Sequence, residues 1–189
     1  MSDSLAEILQ FTYPLPQTSL EQIREICEEK HFAKGHLIIQ NNRLAQNLFL
    51  IKKGIVRAYA QADGHEITFW FGKEGDPVIS MKNYVENRNA YESVELLEDC
   101  VLFQISVKDL RELYLKDIHI ANWGRRLAEK ELIRAEERQI SREFKTARER
   151  YTELMQQNPE LLRRVSLGNI ASYLGITQVS LSRIRAEVR

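Results

Sequence analysis

A glycine set between two short apolar periodicities limits what the last two dozen residues can become. Ile170, Leu174, Ile176, Leu181 and Ile184 recur at helical spacing on either side of Gly175, on the facing sides of two short helices. Glycine lacks the Cβ that clashes in a left-handed conformation, so Gly175 suits the end of the first helix. Thr177 then offers its hydroxyl to an orphan backbone N–H and caps the second. Ala171 falls where the helices cross, and a side chain much larger than methyl would push them apart. The segment therefore reads as a helix-turn-helix with core Ile170, Ala171, Leu174, Gly175, Leu181 and Ile184. In such a unit the second helix enters the DNA major groove. A hairpin that merely packs would not need this order of small residue, glycine and cap.

With Leu181, Ile184 and Val188 turned inward, Gln178, Val179, Ser182, Arg183 and Ala186 face outward. From position 163 onward, Arg163, Arg164, Arg183, Arg185 and Arg189 stand against one acid, Glu187. The whole chain is neutral, with 27 basic and 27 acidic residues, so this local excess is a footprint for phosphate. Arg183 is the expected base contact, since a guanidinium can pair with guanine O6 and N7. Gln178 suits adenine or a phosphate, and Val179 can touch a thymine methyl. Thr177, Ser180, Ser182, Arg163, Arg164 and Arg185 are expected at phosphates. For the last three, an ordinary solvated surface charge is the competing reading.

At 189 residues the chain has room for a real core in one or two domains, and its 43% apolar and 29% charged residues are those of a soluble protein. No apolar run approaches the roughly 20 residues that cross a bilayer. The first residues, Met-Ser-Asp-Ser-Leu-Ala-Glu, lack a basic start and an apolar core, so no secretion signal is expected. Cys27 and Cys100 are too few for a disulfide framework, which points to a reducing cytoplasm.

Taken in order, residues 18–30 open with a cap and repeat Leu20, Ile23, Ile26 and Cys27, which predicts an amphipathic helix. From Phe32 to about Leu102, runs such as Asn47-Leu-Phe-Leu-Ile and Cys100-Val-Leu-Phe-Gln-Ile alternate with Lys34-Gly, Lys53-Gly, Asp63-Gly and the stretch 72–77. That rhythm predicts an all-β roll or sandwich, with a hairpin at Asp63-Gly64. Ser106 starts a short helix. A long charged helix follows, on which Ile120, Trp123, Leu127, Ile133, Ile140 and Phe144 recur at three, four or seven; a dimer seam, with Ile120, Trp123 and Leu127 at its head, is expected, with a solvated spine as the rival. A separate helix over 147–157 carries Tyr151, Leu154 and Met155 and stops at Asn158-Pro159. The predicted class is α+β, with a roll over 1–115, a connecting helix over 116–142 and a DNA-binding domain over 143–189.

This order resembles the catabolite-activator/fumarate-nitrate regulator (Crp/Fnr) family over nearly the whole chain. The likeness lies in Phe32-Ala-Lys-Gly-His-Leu-Ile-Ile, in Leu48-Phe-Leu-Ile-Lys-Lys-Gly-Ile-Val-Arg, in Ala147-Arg-Glu-Arg-Tyr and, most specifically, in Ile170 to Arg185. The resemblance implies a homodimeric bacterial transcription regulator acting on a near-palindrome, with RNA polymerase as a further partner. It also implies a jelly-roll effector domain, whose candidate pocket here is Gly75, Asp76, Arg88, Ala90 and Tyr91. Members that bind cyclic nucleotides carry an Arg-Ser/Thr pair where this sequence has Ala90 and Tyr91, and a buried phosphate without a cation is costly. Cyclic nucleotide is therefore disfavoured, and an unknown small effector remains open. The position of Val179 is commonly Glu in that family, so an altered half-site is expected.

No iron–sulfur cluster is expected from two cysteines, nor haem from His36, His65 and His119, which have no special setting. A metal enzyme on the roll would want converging His and carboxylate ligands, and the four histidines are scattered, so catalysis is not expected. The remaining rival is a cyclic-nucleotide or other small-ligand module whose helix-turn-helix binds DNA weakly or not at all. Its supports are Val179 and the absence of a β-wing after the second helix, where the sequence reaches Arg189.

Overall fold

The computed structural model describes residues 4–62 and 64–188, so Asp63 of the expected hairpin turn and Arg189 of the basic cluster lie outside the described residues. The chain divides into two units, Met1–Ala58 with Phe71–Glu131 and Tyr59–Trp70 with Leu132–Arg189.

The first unit is built on a roll of short strands. One four-stranded sheet has the order β1 (Cys27–Phe32), β8 (Cys100–Ser106), β3 (Asn47–Lys53) and β6 (Pro77–Val78). The other runs β2 (Leu37–Ile39), β7 (Ser93–Leu96), β4 (Val56–Ala62) and β5 (His65–Gly72), and the Tyr59–Trp70 part of the last two belongs to the second unit. β3 is buried on four consecutive residues, Leu48 to Ile51, because both of its faces are covered. Leu48 and Leu50 join Phe103 and Ile105 on the face that meets the helices, and alternation sends Phe49 and Ile51 to the other. The helices are α1 (Ser4–Thr12), α2 (Gln17–Glu25), α4 (Val107–Lys116) and the first half of α5 (Ile118–Phe144). They bring Leu5, Leu9, Ile23, Leu110, Ile120, Trp123 and Leu127 onto that face. Burial of each large apolar side chain contributes about 1.5–3 kcal/mol.

Two expectations are corrected here. The predicted helix over 18–30 ends at Glu25, and Cys27 opens β1, opposite Ile105 in an antiparallel ladder with β8. Helical spacing of Ile23, Ile26 and Cys27 was real, but the ladder captures the chain from Cys27 onward. The expected seam residues Ile120, Trp123 and Leu127 are 0%, 0% and 5% exposed within their own chain. Trp123 Nε1 donates to the Leu9 carbonyl at 3.1 Å, so this face belongs to the intrachain core and not to a partner. Gly124, next to it, is a glycine because Tyr114 packs against its Cα and would meet any added Cβ. The Tyr84 and Tyr114 hydroxyls are 2.8 Å apart, and burial pushes the Tyr114 phenol far above its usual range.

Helices α1 and α3 (Met81–Glu86) were not anticipated. The first has only nine residues, with Leu5 and Leu9 as its buried positions, and the second lies inside a stretch dense in turn residues.

Candidate nucleic-acid interface and roll pocket

In the second unit, α5 ends at Phe144 and Thr146 caps α6 (Ala147–Gln157). Thr146 Oγ1 accepts the Glu149 N–H, and the Glu149 carboxylate accepts the Thr146 N–H at 2.7 Å, a reciprocal capping box. Those backbone and side-chain hydrogen bonds from Thr146 hold the Glu149 carboxyl below its ordinary range. Arg150 then ties three carbonyls together: it donates to Leu174 O at 2.8 Å, Lys145 O at 2.5 Å and Arg142 O at 3.4 Å. Carbonyls at helix ends lack intrahelical partners, and one planar guanidinium supplies several.

α7 (Leu161–Arg164) leads to α8 (Leu167–Leu174), whose cap Ser166 accepts the Asn169 N–H. Gly175 has φ +67°, the left-handed conformation expected of it, and the Ile176 N–H reaches back to Ala171 O at 3.0 Å while Gly175 N–H reaches Ser172 O. Thr177 caps α9 (Gln178–Glu187), accepting the Ser180 N–H at 3.1 Å. Ile170, Ala171, Leu174 and Leu181 are all buried, and Ile184 is half-buried. These residues form the α8–α9 contact, and α8 also packs on α6.

The outward face of α9 carries the expected set. Gln178, Ser182 and Arg183 are exposed, and Val179 is 63% exposed. The Gln178 Oε1 lies close to Gly168, at the start of α8, so the first turns of the two helices share one edge. The hydroxyls are more committed than expected. Ser182 Oγ donates to Gln178 O at 3.0 Å, and the Thr177 and Ser180 hydroxyls lie 3.0 Å apart. Each retains lone pairs but must give up or share a local bond to meet a phosphate. Arg163 is exposed, while Arg164 and Arg185 are half-buried.

The residues expected to line an effector pocket are each engaged locally. Gly75 (φ +91°) and Asp76 form the turn between β5 and β6, where Asp76 Oδ2 accepts the Lys73 N–H at 3.0 Å. That carboxylate is occupied in closing its own turn. Arg88 is largely exposed beside Glu86 at 3.5 Å, and Tyr91 is 53% exposed. Ala90 is buried, with its N–H on Arg43 O at 2.9 Å and its carbonyl on the Asn42 N–H. The Tyr91 N–H donates to the buried Glu92 carboxylate at 3.1 Å. An anion cradle needs open N–H groups and a nearby cation. Here both N–H groups are used, one of them by a negative charge.

The sequence reading missed a buried ion pair. Arg57 Nη2 lies 2.9 Å from Glu95 Oε2, with its side chain 8% exposed. The signal was present, a lone arginine within the apolar run Ile55-Val-Arg-Ala. Among the described residues no three His, Cys, Asp or Glu side chains gather as a metal site, and no helix is long and apolar enough to cross a membrane.

With this geometry in hand, the chain can be set beside known proteins. Residues 29–117 match the family model of the cyclic nucleotide-binding domain. Over 86% of the chain and 84% of its counterpart, the structure is similar to FixK2 from Bradyrhizobium japonicum (TM-score 0.73, 22% identity). It is similar to a putative transcriptional regulator of the Crp/Fnr family from Eubacterium rectale over 94% and 87% of the two chains (TM-score 0.74, 18% identity). The chain has the fold of the Crp/Fnr regulators. A third Crp/Fnr-like structure is the c-di-GMP responsive global regulator CLP of Xanthomonas campestris, at TM-score 0.73 and 16% identity over 92% and 91% of the chains. None of the curated proteins is similar enough in sequence to match. Within this Crp/Fnr fold the roll with its adjoining helices accounts for the matched family segment, and α8–α9 lie beyond it.

Proposed function

We propose that the chain is a sequence-specific DNA-binding transcription regulator, cytoplasmic, without enzymatic activity, acting as a homodimer on a near-palindromic operator. One observation carries the reading. α9 is capped by Thr177, anchored on its inner face by the fully buried Leu181, and presents Gln178, Val179 and Arg183 to solvent on the other. Such an arrangement suits a helix–turn–helix with a reading face, and the solved structures of like fold include a putative transcriptional regulator and a global regulator. The seam between copies lies on the second half of α5. There Ile133, Ile140 and Phe144 recur at seven and four residues and are 49%, 54% and 81% exposed. Such spacing makes one stripe along a helix, and a second copy covers it by symmetry.

Selection of bound duplexes from a random pool tests this directly, and an inverted repeat with half-sites one helical turn apart is the expected outcome. Arg183→Ala should weaken the selected site by about 1–3 kcal/mol, roughly 5- to 150-fold, and relax preference at one base position. Unchanged affinity and specificity would remove Arg183 from the reading face. At Val179 the half-site should carry a thymine methyl.

RNA polymerase is the expected partner of the DNA-bound dimer. The roll is read as an effector domain whose ligand is not a cyclic nucleotide, because Glu92 sits on the Tyr91 N–H and Arg88 points to solvent. Adding millimolar cyclic AMP or cyclic GMP is expected to leave the melting temperature within about 1 °C, whereas binding at 100 times Kd would add about 2.7 kcal/mol. The rival reading, a ligand module with weak or lost DNA binding, draws on the cyclic nucleotide-binding domain match over residues 29–117. A large saturable shift together with an empty DNA selection would establish it.

A further inference from the structure

Strand β5 is an outer strand, with β4 as its neighbour in the sheet. Outer strands carry main-chain groups that folded proteins cover or pair. Here the cover comes from the helices of the same unit. Ser172 Oγ, from the middle of α8, donates to the Glu66 carbonyl at 2.9 Å and accepts the Thr68 N–H at 2.9 Å. Those two groups flank Ile67 and point to one side of the strand, so a single hydroxyl takes the place of a neighbouring strand. Arg142, near the end of α5, donates to the Thr68 carbonyl at 3.3 Å and to the Tyr173 carbonyl at 3.4 Å. One guanidinium thus bridges strand and helix.

We propose that the outer part of the β4–β5 hairpin is a releasable restraint on the helix-turn-helix, and that DNA binding opens the Ser172 tie. The inference rests on the DNA-binding reading of α9. The character of the tie supports release. Ser172 and Arg142 hold β5 by hydrogen bonds to main chain, which exchange for water at small net cost. The α8–α9 pair, by contrast, is joined by buried apolar groups, Leu181 above all, and that contact includes no residue of β5. It can therefore leave the strand as a unit. The hairpin itself is held at its base, since β4 includes Arg57, paired with Glu95 of β7 at 2.9 Å. Two recognition helices must also enter grooves about 34 Å apart, which constrains their placement in a way a tied helix cannot freely meet.

The test uses the full chain and a duplex taken from the selected pool. Amide hydrogen exchange at Thr68 is followed by NMR in the parent and in Ser172→Ala, with and without DNA, and affinity is read by fluorescence anisotropy. In Ser172→Ala, Thr68 exchange should rise about tenfold while the Ile176 amide, bonded to Ala171 O, stays protected. Parent bound to DNA should show the same rise at Thr68, and Ser172→Ala should bind DNA about three- to tenfold tighter. Equal or weaker DNA binding by Ser172→Ala overturns the restraint, as does Thr68 exchange that ignores the substitution. If no selected duplex binds either protein, the DNA-binding reading fails and the restraint fails with it. A Thr68 response to Ser172→Ala in that case would show the tie itself to be real.

Discussion

Replacing Leu181 with alanine is expected to abolish operator binding by dissolving the α8–α9 contact. Leu181 is 0% exposed and faces Ile170, Ala171 and Leu174, all buried. The apolar core of the C-terminal unit is small, with Tyr151, Leu154, Leu161 and Val165 as its other buried members. A Leu→Ala cavity at such a site costs about 2–5 kcal/mol, a large share of what a small unit can supply. Hydrogen exchange at the Ile176 and Leu181 amides should accelerate by two orders of magnitude or more, and titration with the selected duplex should show no saturable binding. Retained protection together with retained binding would mean that α9 is held by something other than this core. The comparison with Arg183→Ala matters. That variant should keep its exchange pattern and lose only affinity, because its side chain is exposed.

The second large effect concerns Trp123. If its indole lay in a seam between copies, Trp123→Ala would yield a stable monomer. The structure assigns it to the intrachain core, at 0% exposure and with its N–H on the Leu9 carbonyl. Trp123→Ala is therefore expected to lower the unfolding free energy by about 3–5 kcal/mol in urea titration. The protein that remains folded should sediment at the mass of the parent. A mass reduced to one chain with unchanged stability would restore the seam to Ile120, Trp123 and Leu127. The exposed stripe Ile133, Ile140 and Phe144 has the opposite character, apolar but uncovered within its own chain.

How much of this was legible in the sequence depended on how local the cause was. The caps and stops of the C-terminal unit are properties of one or two residues. Gly175 and Thr177 take the places read for them, and Thr146 and Ser166, which the sequence reading did not single out, cap α6 and α8 by the same local rule. The α6 helix spans Ala147–Gln157 as read, because a cap precedes it and Asn158-Pro159 follows it. Strands β2, β3, β4, β5, β7 and β8 were visible for a similar reason, since turn residues mark their ends, whereas β6 opens at Pro77, inside the stretch read as a turn. Long-range choices were not visible. Cys27 fits a helix by spacing, and only the ladder to Ile105 makes it a strand residue. Arg57 looked like any charge in a strand until Glu95 appeared opposite.

The pocket and the long helix show the same divide. Ala90 and Tyr91 already argued against a phosphate site by lacking a cation. That the Tyr91 N–H is taken by Glu92 is a three-dimensional fact. Periodicity marked α5 as a helix with an apolar face and pointed to a second chain or a solvated spine; that its own chain covers Ile120, Trp123 and Leu127 was not visible. Side-chain spacing along one helix fixes which residues share a face, but not what meets it. Thus the sequence by itself determined the two C-terminal helices, the Thr177 cap, the left-handed glycine and which residues of α9 face outward, all of which follow from neighbours within four residues. The tertiary structure alone decided that Trp123 is core, that β1 begins at Cys27 and that Ser172 holds the edge of β5. Each of those joins residues at least 78 positions apart, where no local propensity can choose the partner.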